Sequence, residues 1–199
     1  MPEHGASGPL ILAFDTSAAH CAAALRLEGR TVARIEPMAK GQAERLMPFL
    51  EELLAAEGLG FEDLAAIGVG CGPGNFTGLR IGVSAARGLA LGLGIPAVGV
   101  TGFEAAGLGH PRPVIIALPA PRDHLWLQRL TETGAEPPRL APASEAGEVQ
   151  HAPDAEALVR AIAEIAHDRA ATPQPRPAPL YVRPADAAPP RDPAPVLIG

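Results

Sequence analysis

Two stretches of the chain carry the residue types from which a site could be built. The first is Asp15-Thr16-Ser17, a carboxylate and two hydroxyls at the end of an apolar run. Such residues can hold phosphate and a metal, and they equally form ordinary Asx and Ser turns. The second is Gly70-Cys71-Gly72-Pro73-Gly74-Asn75-Phe76-Thr77-Gly78-Leu79-Arg80-Ile81-Gly82, where an apolar run meets glycines and then a small-residue helix. A glycine-rich turn from strand to helix presents backbone N–H groups to anions. The details argue against the common phosphate loops. No lysine follows Thr77-Gly78, the third glycine of a dinucleotide fingerprint is missing, and Pro73 removes a donor. Gly72, Pro73, Gly74, Gly78 and Gly82 are therefore read as a structural loop. Nucleotide contact, if there is any, is expected at Asp15, Thr16 and Ser17.

Other chemistries lack residues at the required spacing. No two of the six histidines stand at helical ligand spacing, so no metal site is expected and each histidine is read as a surface residue. Cys21 and Cys71 form neither a disulfide framework nor a Cys-x-x-Cys. Gly-x-Ser-x-Gly does not occur, and Ser84 falls within a helix, so no catalytic residue is expected. An actin-like or sugar-kinase-like ATPase would also need a second phosphate loop of Asp-x-Gly type. Asp123-His124-Leu125 does not supply it.

The elements that must position these residues follow from periodicity. Short apolar runs at 10–14, 21–27 and 31–35 read as three strands in a meander, with Glu28-Gly29 turning the second into the third. Residues 42–57 switch to helical spacing, with Ala43, Leu46, Met47, Leu50, Leu53 and Leu54 on one stripe and Pro48 inside it. Phe49 lies about 100° off that stripe at 3.6 residues per turn, which hints at a second buried face. A strand at 65–70, a helix at 76–93 and a strand at 96–100 complete a β-β-β-α-β-α-β order. Further on, helices are expected at 103–108 and 155–167, the latter with Leu158, Ile162 and Ile165 on one face. Strands are expected at 114–118 and 125–130, with Trp126 as a packing residue. From 171 onward frequent prolines predict an extended or disordered tail.

The helix at 76–93 is unusual. Gly78, Gly82, Gly88 and Gly92 would each cost about 1 kcal/mol against alanine. The missing side chains must permit close approach of something. Two rows of small residues run along the helix: Gly78, Gly82, Ala86, Ala90 and Gly94 in one, Ser84, Gly88 and Gly92 in the other. One row against a sheet needs no partner, whereas two rows suit a partner helix as well. The spacing leaves open which row faces which.

At 199 residues the chain suits one domain or two small lobes. A formal net charge of −6 argues against a free-standing nucleic-acid binder. No signal peptide or membrane span is visible, so a cytoplasmic protein without membrane contact is expected.

Ile11-Leu12-Ala13-Phe14-Asp15-Thr16-Ser17, Glu44-Arg45-Leu46-Met47-Pro48 and the Gly72 to Gly82 stretch together resemble the TsaB (YeaZ) family, and Pro179-Leu180-Tyr181-Val182-Arg183-Pro184 resembles its closing motif. The resemblance covers residues 10 to about 105 well. It implies an α/β fold of two ribonuclease H-like lobes of the actin/sugar-kinase/Hsp70 type, with a reduced second lobe. The implied boundaries are a flexible N-terminus at 1–9, a first lobe at 10–105, a second at 106–170 and a proline-rich tail at 171–199.

The resemblance further implies a non-catalytic subunit that binds and activates the TsaD transferase, which modifies the adenosine next to the anticodon in tRNA. TsaD and a small ATPase, TsaE, are the implied partners. tRNA would be met only through the complex, and a homodimer is an option when the chain is alone. No cofactor is expected on this chain; ATP or ADP and metal belong to the partners. The implied contact surface lies on the two first-lobe helices: Glu44, Leu46, Phe49, Leu50 and Leu53 on one, Thr77, Arg80, Ile81, Ser84 and Arg87 on the other. The chain departs from the family pattern at Cys71 and Asn75, where arginine and serine are usual. It also departs at Gln42, where a histidine is common, and at Pro119-Ala120-Pro121-Arg122. The alternative reading is an ATP-dependent enzyme of the same fold, or a peptidase of the M22 (glycoprotease-like) type.

Overall fold

The structure, a computed structural model, describes residues 8–182. The expected flexible N-terminus therefore lies almost wholly outside the described residues, as do Arg183, Pro184 and the rest of the tail. β1 (Ile11–Asp15), β2 (His20–Leu27) and β3 (Arg30–Pro37) form the antiparallel meander. Gly29 turns β2 into β3 with φ 72, a conformation glycine adopts without a Cβ penalty. After α1 (Gln42–Ala56), β4 (Ala66–Gly70) inserts parallel to β1. After α2 (Phe76–Leu93), β5 (Ala97–Val100) adds parallel to β4. The order β3-β2-β1-β4-β5 is that of a ribonuclease H-like lobe.

β1 and β4 are buried on both faces, which is why they read as unbroken apolar runs. Leu12 and Phe14 join Leu46, Phe49, Leu50 and Leu54 of α1 in the core on one face. Ile11 and Ala13 point to the other face, where α4 (Ala155–Arg169) covers them. α4 falls in the 106–170 span assigned to the second lobe, yet its buried residues pack on the first sheet. Ala166 sits where a Cβ on Gly68 would fall 2.8 Å away. This close approach explains why the buried face of α4 runs through Val159, Ile162, Ala163, Ile165 and Ala166. Leu158, expected on that face, is only partly buried.

A short α3 (Gly102–Ala106) leads to the second sheet. There β6 (Val114–Ala120) and β7 (His124–Thr131) pair antiparallel. β8 (Gly134–Ala135), β9 (Arg139–Pro142) and β10 (Gln150–His151) complete it. Trp126 packs beside the core of Phe103, Ile116, Leu118 and Leu130.

Residues 173–182 form neither helix nor strand, but they are docked. Pro177 lies against Gly99, and the Leu180 N–H donates to the Cys71 carbonyl at 2.8 Å. Leu180 and Val182 pack on the core around Phe103. Among the described residues no helix is long and apolar enough to cross a membrane.

Candidate functional site

The turn after β1 and the loop before α2 are built into one unit. Asp15 is 2% exposed; its Oδ2 accepts from the Ser17 N–H at 3.0 Å and the Ser17 hydroxyl at 2.8 Å, and faces Nε2 of His20 at 3.1 Å. The Thr16 hydroxyl donates to the Gly78 carbonyl at 2.7 Å, and the Asn75 N–H donates to the Ser17 carbonyl at 2.6 Å. Asn75 caps α2, its Oδ1 accepting from the Gly78 N–H at 2.9 Å. The buried Gln42 amide donates to the carbonyls of Ala18 and His20 at 2.7 and 2.8 Å, fixing the turn from the other side.

This explains the loop glycines. A Cβ on Gly74 would collide with the Ser17 carbonyl, one on Gly78 with the Thr16 carbonyl, and one on Gly82 would lie 2.6 Å from the Thr16 hydroxyl. Gly72, at φ 88, precedes Pro73 through a cis bond and accepts from the Gly102 N–H at 2.8 Å. The loop's N–H groups at Cys71, Asn75 and Gly78 are engaged inside the protein rather than aimed at an anion.

Between the lobes lies a cleft of about 320 Å³, lined among others by Asp15, His20, Pro73, Leu118 and Trp126. Among the described residues its lining holds no lysine or arginine, and a triphosphate would bring its charge against the Asp15 carboxylate. The described lining by itself supplies no cation to neutralise a phosphate. His20, read from sequence as a surface residue, lines this cleft instead, because β2 begins directly beside the end of β1.

The two rows on α2 now separate. Gly78, Gly82, Ala86 and Ala90 are buried against the sheet and the Asp15–Ser17 turn, with Leu79 and Val83 beside them, whereas Gly94 leaves the row as the exposed cap that ends the helix at φ 69. Thr77, Arg80, Ser84, Arg87, Gly88 and Gly92 are exposed, and Ile81 lies half-buried at the boundary. A Cβ on Gly88 or Gly92 would meet nothing within 4 Å. Phe76, 52% exposed, and Leu91, 84% exposed, bracket this face. At its start the Arg80 guanidinium lies 3.7 Å from the Phe76 ring centre and donates to the Tyr181 hydroxyl at 3.1 Å. Tyr181 in turn sits 5.1 Å from Phe76, ring to ring. Glu44 is exposed on α1.

Four of the expected contact residues are corrected. Leu46, Phe49, Leu50 and Leu53 are buried in the chain's own core. Phe49 does occupy a second buried face, covered by the guanidinium groups of Arg34 and Arg45 at 5.4 and 5.6 Å from its ring centre. Arg45 is itself held by Glu36 and Glu52 at 2.7 Å each. Its hydrogen bonds pull the Glu52 carboxyl down to about 2 and hold Glu36 below the usual carboxylate range. Burial pushes the thiols of Cys21 and Cys71 up to about 11. Burial also works against the Glu104 carboxylate, but the Thr101 N–H, Arg169 and the Thr101 hydroxyl outweigh it and keep it below its ordinary value.

Glu164, His167 and Asp168 on α4 bring three ligand-type atoms within 4.8 Å of one another. A search for paired histidines passes over this group, and Glu164 is already paired with Arg26 at 2.8 Å.

A family model described as TsaD, tRNA N6-adenosine threonylcarbamoyltransferase, matches residues 36–147. The tRNA threonylcarbamoyladenosine biosynthesis protein TsaB of Escherichia coli is 40% identical over 91 residues, 46% of this chain and 39% of that protein. Its Haemophilus influenzae counterpart is 37% identical over 95 residues, 48% of this chain and 40% of that protein. The aligned part thus spans about two fifths of these relatives' length. The solved structure of YeaZ from Pseudomonas aeruginosa shares the fold, with a TM-score of 0.65 at 23% identity over 87% of this chain and 100% of that one.

Proposed function

We propose, for a chain that belongs to the TsaB (YeaZ) family and carries the TsaD-type family domain, a role as a non-catalytic scaffold in tRNA threonylcarbamoyladenosine biosynthesis. In this reading it binds and activates a TsaD-type transferase through the exposed face of α2. The observation that carries the reading is that face itself: Ser84 is exposed and Gly88 and Gly92 have open space beside them among the described residues, bracketed by Phe76 and Leu91. A partner helix approaching this closely recovers the helix propensity lost at the two glycines. Apolar contact at Phe76, Ile81 and Leu91 supplies affinity, and Arg80, Arg87 and Thr77 set orientation, with Glu44 at the flank. Leu46, Phe49, Leu50 and Leu53 act from beneath by holding α1 in place.

Nucleotide and metal belong to the transferase and to a TsaE-like ATPase, and tRNA is met through the complex, in keeping with the net charge of −6. Without a partner the same face can pair two copies. The test is reconstitution: leaving this chain out of a mixture of TsaC, TsaD and TsaE should abolish tRNA modification. Full modification without it would overturn the reading.

A further inference from the structure

At the far end of α2 a groove of about 560 Å³ opens between the last turns of the helix, residues 94–97 and residues 172–177. Leu91, Ile95, Pro96, Pro173 and Pro177 give it apolar walls. Arg87 and Arg176 also line it, and neither guanidinium makes a hydrogen bond or ion pair among the described residues. Elsewhere on the first lobe Arg26 pairs with Glu164, Arg30 with Glu57, Arg34 with Glu52, and Arg45 with Glu36 and Glu52, while Arg80 reaches the Tyr181 hydroxyl and the Phe76 ring. Arg87 and Arg176 thus set two guanidinium groups, without a carboxylate partner among the described residues, beside one apolar hollow in a chain with six more acidic than basic charges.

We propose that this groove receives an acidic segment with an apolar anchor, supplied by the protein partner that packs on α2. The proposal rests on the reading above, since Arg87, Gly88 and Leu91 belong to both surfaces. It adds a second point of attachment that depends on the docked strap at 172–177. The anchor fills the space beside Leu91 and Ile95, and its flanking carboxylates take the two guanidinium groups in charge-assisted hydrogen bonds. A nucleic acid is disfavoured because the lining offers no aromatic ring for a base and only two cations.

The test places a photoreactive benzoylphenylalanine at position 77, at the edge of the α2 face, or at position 174 and irradiates the assembled complex with the TsaD-type partner. Both sites should crosslink to the partner. Mass spectrometry should map the crosslink from position 174 to a segment where two or more Asp or Glu residues flank an apolar one. Crosslinking from position 77 alone overturns the inference and leaves the proposed function standing. So does capture at 174 of tRNA, of a second copy, or of a segment without carboxylates. Crosslinking from neither site overturns both. In parallel, Arg176→Glu should leave the melting temperature unchanged and raise the partner Kd about 10-fold, with Arg176→Lys recovering most of the loss. An unchanged Kd for Arg176→Glu would also overturn the inference.

Discussion

Thr16 donates its hydroxyl to the carbonyl of Gly78 at 2.7 Å, while a Cβ on Gly78 would collide with the carbonyl oxygen of Thr16. The turn after β1 thereby presses directly on the first turn of α2. That contact fixes the rotation of the helix: the row from Gly78 to Ala90 turns inward, and the row through Ser84, Gly88 and Gly92 turns out. A loop that resembles a phosphate cradle is thus a device for seating one helix, and its Asn75 and Gly78 N–H groups are engaged in doing so.

The two rows should respond oppositely to alanine. Gly78→Ala must displace backbone at Thr16 and is expected to lower stability by about 2 kcal/mol or more, as overpacking does. Gly88→Ala and Gly92→Ala add a methyl in open space and should each stabilise the helix by up to about 1 kcal/mol. Urea unfolding of the three variants checks this. Equal destabilisation by all three would contradict the assignment of the rows.

Phe49→Asp should behave as a folding variant. It places a carboxylate in a fully buried position and removes a large apolar side chain, so a loss of about 4 kcal/mol or more is expected. Circular dichroism and the melting temperature report it. A Phe49→Asp protein that melts like wild type would mean that this side chain is free at the surface after all.

The Arg45 network makes stability depend on acid. A carboxylate whose pKa is lowered on folding adds stability above its unfolded value and loses it as pH falls through the folded one. For Glu52 that window runs from the ordinary 4.5 down to about 2, and Glu36 shifts in the same direction. The wild-type melting temperature should therefore fall between pH 7 and pH 3 by more than that of Arg45→Met. Equal falls would show that the network carries no linkage.

Cys21 and Cys71, buried and with thiols pushed up to about 11, should resist alkylation. At pH 8, iodoacetamide labelling of the native protein is expected to be about 100-fold slower than that of the urea-unfolded chain. Mass spectrometry over time decides, and fast stoichiometric labelling of the native protein would count against this burial.

Much of the first lobe was legible because its signals are local. α2 begins and ends where its small-residue pattern does, and Asn75 before it is a cap by residue type. The contact between Thr16 and Gly78 joins residues 62 positions apart. Nothing local announces that contact, and without it the two rows of α2 could not be told apart. Apolar periodicity also misled for Leu46, Leu50 and Leu53. A stripe of leucines marks burial but not against what, and here β1, β2 and β4 of the same chain fill the space. β8 and β10 span two residues each, too short for any alternation to register. The docking of residues 177–182 escaped because prolines argue against regular structure and say nothing about packing.

The central claim, that the outward row of α2 receives the transferase, is tested most directly by calorimetric titration of this chain, wild type and Ser84→Arg, with its TsaD-type partner. Ser84 is exposed, so the variant should keep the wild-type melting temperature. The account predicts stoichiometric binding for wild type and a Kd raised at least about 100-fold for Ser84→Arg, about 2.7 kcal/mol. Undiminished binding by a folded Ser84→Arg protein would contradict it.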